Sequence, residues 1–337
     1  MQRYNVPVLL ALAALALGLA SQYGWMDLYV QTTLMFLFIN VIMSASLNLI
    51  NGYMGEFSCG HAGFMCVGAY VSSVVSVALF AKSSYFGEPL LPPAWAVLGM
   101  PLSLAAGGVA AAFAGLLVAF PSFRTRGDYL AIITLAANYI IMSVFVNLDA
   151  IGGPRGFMGM KKVISAMNDV ADIPWMMLLT FGCTVFTIFI LRRFLSSSLG
   201  KGVMAVHQDE IAAEIMSVNT NRIKLVAFML SSGLAGLAGG LMAHIMGYVN
   251  PSAFGILKST EAMVMVYLGG MGSLTGSILS AVLMTGLSEA LRPLGILKWV
   301  VIPLTLILLM QFRPEGIMGN RELSDVFPRL RRFYRFK

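Results

Sequence analysis

Long uncharged apolar runs, separated by single charges or short polar links, set the pattern of this chain. Charge-free windows lie between Arg3 and Asp27, Asp27 and Glu56, Glu56 and Lys82, Glu88 and Arg124, and Asp128 and Asp149. Further windows run from Asp172 to Arg192, Lys224 to Lys258, Glu261 to Glu289 and Lys298 to Arg313. About 20 apolar residues, at a rise of about 1.5 Å each, cross a hydrocarbon core of about 30 Å. Each window is therefore a candidate crossing. The last is short, but Lys298 can snorkel outward and let a helix begin near Ile296. The window after Glu261 is interrupted by Gly269-Gly270-Met271-Gly272-Ser273. Glycine is poor in helix interiors, so this window reads as two half-helices that enter and return on one side. The pattern predicts an all-α polytopic membrane protein with about eight full transmembrane helices plus a re-entrant pair of half-helices. Residues 1–312 form the transmembrane domain, with a cytoplasmic loop at 194–224, and 313–337 form a basic cytoplasmic tail.

Composition supports that class. Of 337 residues, 58% are hydrophobic and 11% charged, and mean hydropathy is +0.83. Soluble domains carry about 25% charged residues, so a water-facing surface is excluded. The net charge of +7 does not indicate nucleic acid, because the basic residues lie in links between apolar runs rather than on one soluble face. With the N-terminus inside, 15 of the 22 basic residues fall in inside segments and the tail. Lys82, Arg155, Lys161, Lys162, Lys258, Arg292 and Lys298 fall outside. That bias places both termini in the cytoplasm. Residues 4–20 admit a second reading as a signal peptide, from Arg3, an apolar stretch and the small residues Gly18 and Ala20.

Sites for covalent chemistry are missing from the pattern. Cys59, Cys66 and Cys183 sit in apolar runs and fit neither metal spacing nor a disulfide framework. His61, His207 and His244 are isolated in different segments, so no metal site is expected. Gly200-Lys201-Gly202 fails as a phosphate loop: Leu195 stands where a glycine is needed, and Gly202 where Ser or Thr is needed. The chain is expected to bind no cofactor and to catalyse nothing.

The most informative link is 194–224. Residues 206–218 read as one short amphipathic helix with Ile211, Ile215 and Val218 as its apolar stripe. Asp209 and Glu210 fall in its first turn, where a helix dipole favours acids. A solvated helix needs no stripe, and an interfacial helix favours Lys and Arg on its polar face. A groove in a protein on the cytoplasmic side is the better partner.

The run from Gly200 to Lys224, with Glu210, Ala212, Ala213 and Glu214, resembles the Glu-Ala-Ala loop of bacterial importer permeases, with Ser217 where the common motif has Gly. Three further blocks are similar to the branched-chain amino-acid permease family, in its subunit with the longer N-terminus. They are Asn51 through Phe64 on to Gly68-Ala69-Tyr70; Arg126 through Ile132 followed by Gly152-Gly153-Pro154; and Glu261 through Ser273 to Gly276. Met54, Glu56 and Cys59 depart from the Thr, Gln and Leu of that pattern. The resemblance covers roughly residues 50–290. It implies a multi-pass protein of the bacterial inner membrane that works with two ATP-binding subunits holding ATP-Mg, a homologous second permease and an external substrate-binding protein. It also implies that Asp209, Glu210, Ile211, Ala212, Ala213, Glu214, Ile215 and Val218 form a coupling helix seated in the ATP-binding subunit.

Ser58, Gly60, His61, Glu261, Gly269, Gly270, Gly272 and Ser273 are candidates for the substrate path, because glycine-broken helices commonly frame one. Packing or capping explains the same residues. Branched-chain amino acids are the expected substrate, with urea or short amides as the alternative. An ion-coupled secondary carrier would need acids well inside the spans, and none lies there.

Overall fold

The computed structural model describes residues 5–322 apart from 25, 83–86, 93–94, 124–128, 172 and eleven positions between 298 and 320. The expected tail from 323 onward, the loop start at 83–86 and the Arg126–Asp128 part of the second block lie outside the described residues.

Twelve α-helices follow in order among the described residues. They are α1 (Asn5–Gln22), α2 (Leu28–Asn48), α3 (His61–Phe80), α4 (Ala96–Ser122), α5 (Tyr129–Val146) and α6 (Met160–Val170). Then come α7 (Trp175–Leu195), α8 (Ser198–Gln208), α9 (Glu210–Ile215), α10 (Thr220–Met246), α11 (Ile256–Gly269) and α12 (Leu274–Ala290). One π-helical turn, Leu49–Met54, extends α2. A two-residue ladder pairs β1 (Phe157–Met158) with β2 (Tyr248–Val249), a small exception to an otherwise helical chain.

Six of these helices are long and apolar enough to cross a membrane: α2 with its π-turn, α3, α4, α5, α7 and α10. Each matches one of the charge-free windows, α7 running on through Arg192 and Arg193 and α10 starting before Arg222 and Lys224. Of α1, the apolar stretch Ala11–Gln22 is described, and it packs on α7 through Gly18 and Leu178.

The centre of the bundle is α3, α4 and α10. Small residues let these backbones approach, which drives helix association where no hydrophobic force separates protein from lipid tails. A Cβ on Gly68 would strike the Gly236 backbone, and one on Gly239 the Met65 carbonyl. The aromatic Phe64 and Phe228 meet edge to face, with ring centroids 5.5 Å apart.

Residues 150–171 lie between two charge-free windows and carry Arg155, Lys161 and Lys162. The structure places α6 there, with Met160, Val163, Ala166 and Met167 turned inward. Gly152 and Gly153 form a turn, both with positive φ.

The predicted break in the window between Glu261 and Glu289 is present. Gly270 (φ 109°) and Gly272 (φ 79°) adopt conformations open to glycine, and Ser273 caps α12 by accepting from Gly276 N at 3.0 Å. α12 runs antiparallel to α2, and polar contacts mark three levels. Asn48 Nδ2 donates to Ser277 Oγ at 2.7 Å, Asn40 Nδ2 donates to Thr285 Oγ1 at 3.0 Å, and the Tyr29 hydroxyl meets Glu289. α10 also runs antiparallel to α2, since Lys224 at its start pairs with Glu56 beyond the end of α2. α12 thus returns to the end of the bundle where α2 begins, while the first turn of α11 meets the first turn of α3, Ala62 N donating to Ser259 Oγ at 3.0 Å.

Candidate functional site

The link between α7 and α10 folds as two helices, not the single helix expected over 206–218. Asp209 (φ −160°) interrupts it, and its Oδ1 accepts from Ala212 N at 3.0 Å, capping α9. The acid therefore starts a new helix rather than sitting within the first turn of a longer one.

The far end of α9 closes with a Schellman motif. Val218 N donates to Ala213 O at 3.0 Å and Ser217 N to Glu214 O at 2.9 Å, with Ser217 at φ 63°. Among the described residues Ser217 alone of the non-glycines has positive φ. This geometry explains why glycine is the motif's usual residue there.

Capping at both ends splits the expected stripe. Ile211, Ile215 and Met216 stand 71%, 77% and 78% exposed on one small patch. Val218 instead packs against the core, and Ala213 is the buried residue of α9. The outward apolar patch is therefore Ile211, Ile215 and Met216, with Met216 missed from sequence and Val218 assigned to the wrong face.

Lys224 ties this module to the bundle. Its Nζ lies 2.8 Å from Glu56 Oε1 and 2.8 Å from Glu210 Oε1, and its side chain is 9% exposed. Glu56, one of the departures from the family pattern, thus has a structural partner. Thr220 Oγ1 adds a bond of 2.9 Å to Glu214 Oε1.

The first and third glycine blocks, read separately from sequence, meet in space. A Cβ on Gly52 would strike Gly272 N. Asn48 fills the junction: its Oδ1 accepts from Gly272 N at 3.0 Å, and its Nδ2 donates to Ser273 O at 2.9 Å. Residues 315–319 fold back onto the same turn, with Ile317 N donating to Leu268 O at 2.9 Å and Met318 N to Gly269 O at 3.1 Å. The packed body thus continues beyond position 312.

Glu322 then seats its buried carboxylate at the start of α12. It accepts from Leu274 N at 2.9 Å, from Thr275 N at 3.2 Å and from the Tyr53 hydroxyl at 3.0 Å. A carboxylate suits the positive end of a helix dipole.

The candidate path residues do not form one cluster. Ser58, Gly60 and His61 are buried at the entry to α3. There Gly60 presses on Thr134 of α5, and His61 Nε2 lies 2.8 Å from Ser46 Oγ. Gly269, Gly270, Gly272 and Ser273 belong to the packed turn, where Gly269 meets Gly276 and Gly270 meets Gly319. Glu261 stands apart in an open pocket of ≈ 340 Å³ shared with Tyr139 and Ser252, its carboxylate 2.9 Å from Lys258. Among the described residues no group of His, Cys, Asp or Glu has metal-holding geometry.

The family described as "Branched-chain amino acid transport system / permease component" matches residues 29–311. The chain belongs to this family. The match starts in the first turn of α2 and takes in every helix through α12. Among similar proteins is the high-affinity branched-chain amino acid transport system permease protein LivM of Escherichia coli. It is 31% identical over 304 residues, which cover 83% of this chain and 68% of LivM. LivH of the same organism, also named a branched-chain amino acid permease protein, is 26% identical over 293 residues, 85% of this chain and 92% of LivH. BraD of Pseudomonas aeruginosa, named likewise, is 27% identical over 299 residues, 85% of this chain and 93% of BraD. No solved structure matches the chain.

Proposed function

We propose that this chain is a membrane-spanning permease subunit of an ATP-driven importer that carries leucine, isoleucine and valine into the cytoplasm. The observation that carries the ATP-driven reading is α9: a short helix, capped at both ends, that presents Ile211, Ile215 and Met216 outward while Ala213 and Lys224 fix it to the bundle. A rigidly mounted apolar patch of this size is suited to a protein groove. Membership of a permease family supports an ATP-binding subunit as the owner of that groove, and the names of LivM, LivH and BraD support the substrate class.

In this reading the chain pairs with a homologous second permease, with two ATP-binding subunits and with an external substrate-binding protein. Those subunits bind ATP-Mg and hydrolyse it; the permease provides the path. Closure of the ATP-binding subunits pulls α9 and reorients the bundle between outward and inward access. α1 and the charge-free window between Lys298 and Arg313 bring the crossings to eight in this reading, with α11 and α12 as the re-entrant pair. Both termini are cytoplasmic, and the α8–α9 module faces the cytoplasm.

Substrate identity has a direct test. Uptake of labelled leucine by the assembled transporter should be competed by isoleucine and valine and be indifferent to urea and acetamide. Competition by urea or acetamide alone would move the chain to the amide branch.

A further inference from the structure

Lys224 occupies a position that neither the family match nor the coupling-helix reading requires. It lies in the first turns of α10, and its two acidic partners come from different parts of the fold. Glu56 belongs to the non-helical link 55–60 that connects the π-turn of α2 to α3. Glu210 opens α9. The Phe123 ring covers the ammonium from 5.9 Å. Beside it the His207 imidazole packs on Gly55, where any Cβ would overlap the ring.

A cation so enclosed must keep a carboxylate partner, because a buried charge left alone is costly. The two arms differ. Glu56 is 22% exposed and Glu210 46% exposed, so the Glu210 arm is the one water can replace. α9 has few other ties to the bundle among the described residues, chiefly buried Ala213 and the Glu214–Thr220 bond. Displacement of α9 therefore acts on Lys224, and through Glu56 on the link 55–60.

That link ends at the entry to α3. There Ser58 N donates to Asn51 Oδ1 at 3.2 Å, Cys59 N donates to Thr134 Oγ1 of α5 at 3.1 Å, and Ala62 N donates to Ser259 Oγ of α11 at 3.0 Å. The link thus bonds the π-turn of α2 and α5, and the first residues of α3 that follow it bond α11. It is well placed to convert a pull at one end of the bundle into relative movement of α3, α5 and α11.

We propose that Lys224 is a positioning residue for transport: its paired bonds to Glu210 and Glu56 form the ionic linkage that transmits movement of α9 to the entry of α3. This rests on the reading that α9 seats in the ATP-binding subunit.

The test uses the full transporter, with its ATP-binding subunits and binding protein, in proteoliposomes. The quantity read is substrate imported per ATP hydrolysed. Glu210→Gln leaves the Lys224–Glu56 pair in place and so preserves the folded bundle. It should retain the ATP-binding subunit on purification while import per ATP falls about tenfold, within the roughly 5–150-fold typical of coupling between sites. Lys224→Arg should keep the wild-type ratio. Lys224→Met combined with Glu210→Gln should be no worse than Lys224→Met alone, because both remove one linkage. A wild-type ratio in Glu210→Gln overturns the linkage, even if Lys224→Met fails to fold. Met216→Cys cross-linking to the ATP-binding subunit tests the seating separately. Cross-links together with an unchanged ratio in Glu210→Gln reject the linkage alone, whereas no cross-link rejects the seating and the linkage with it.

Discussion

Glu322 holds Thr275 by two atoms: its Oε2 accepts from the Thr275 hydroxyl at 2.7 Å and from Thr275 N at 3.2 Å. With Leu274 N on the other carboxylate oxygen, this one side chain satisfies the first two N–H groups of α12, which have no partner within the helix, and Ser273 Oγ takes that of Gly276. Tyr53, at the end of α2, shares the same carboxylate. The chain beyond position 312 thereby locks the glycine turn to the bundle.

Glu322→Ala should therefore destabilise the folded permease by about 3 kcal/mol, the upper range for bonds to a charged group. Thermal unfolding in detergent would show it as an earlier transition with insertion unchanged. A transition at the wild-type temperature would mean the carboxylate contributes nothing to that turn.

Ser217 offers a change in the opposite direction. Its left-handed conformation costs an L-residue roughly 1–2 kcal/mol that glycine avoids. Ser217→Gly should slow proteolysis of the 194–224 link, and Ser217→Val should speed it. Equal cleavage rates in all three proteins would show that the Schellman turn is not held in solution.

The apolar patch on α9 makes a prediction about assembly. Ile211→Asp and Ile215→Asp each place a carboxylate where a partner groove should cover it, at a cost of several kcal/mol when unpaired. Each variant should insert at normal abundance and lose co-purification of the ATP-binding subunit. Retained co-purification in both would show that α9 does not seat there. Ala213→Asp is not a clean probe, because Ala213 is buried within the permease itself.

The six spanning helices were legible because a crossing must be long, apolar and almost free of charge, and that leaves a mark in consecutive residues. The glycine break at 269–273 was legible for a related reason: few other residues tolerate the φ values it uses. What the local pattern could not reveal was partnership over distance. Lys224 marked only the edge of a window, and its bond to Glu56 joins residues 168 positions apart. Glu322 seemed part of a tail, because nothing near it in sequence points to Thr275. The division at Asp209 could have been found, since Asp is a strong N-cap residue, but Ile211, Ile215 and Val218 suggested one continuous face. α6 carried a signal that went unused, the inward spacing of Met160, Val163 and Met167. The glycine turn also differs from a cavity wall. A side chain at Gly270 meets the Gly319 backbone, so Gly270→Leu would test packing before it tested a substrate path.

In the proposed function this chain imports amino acids only as part of an ATP-driven assembly. That dependence is tested most directly by labelled leucine uptake into proteoliposomes, with ATP and with ion gradients as alternative energy sources. Accumulation is expected only when the ATP-binding subunits and ATP are present on the side facing the α8–α9 module, and none from the chain alone under a proton or sodium gradient. Leucine accumulation by the isolated chain under such a gradient, without ATP, would contradict it.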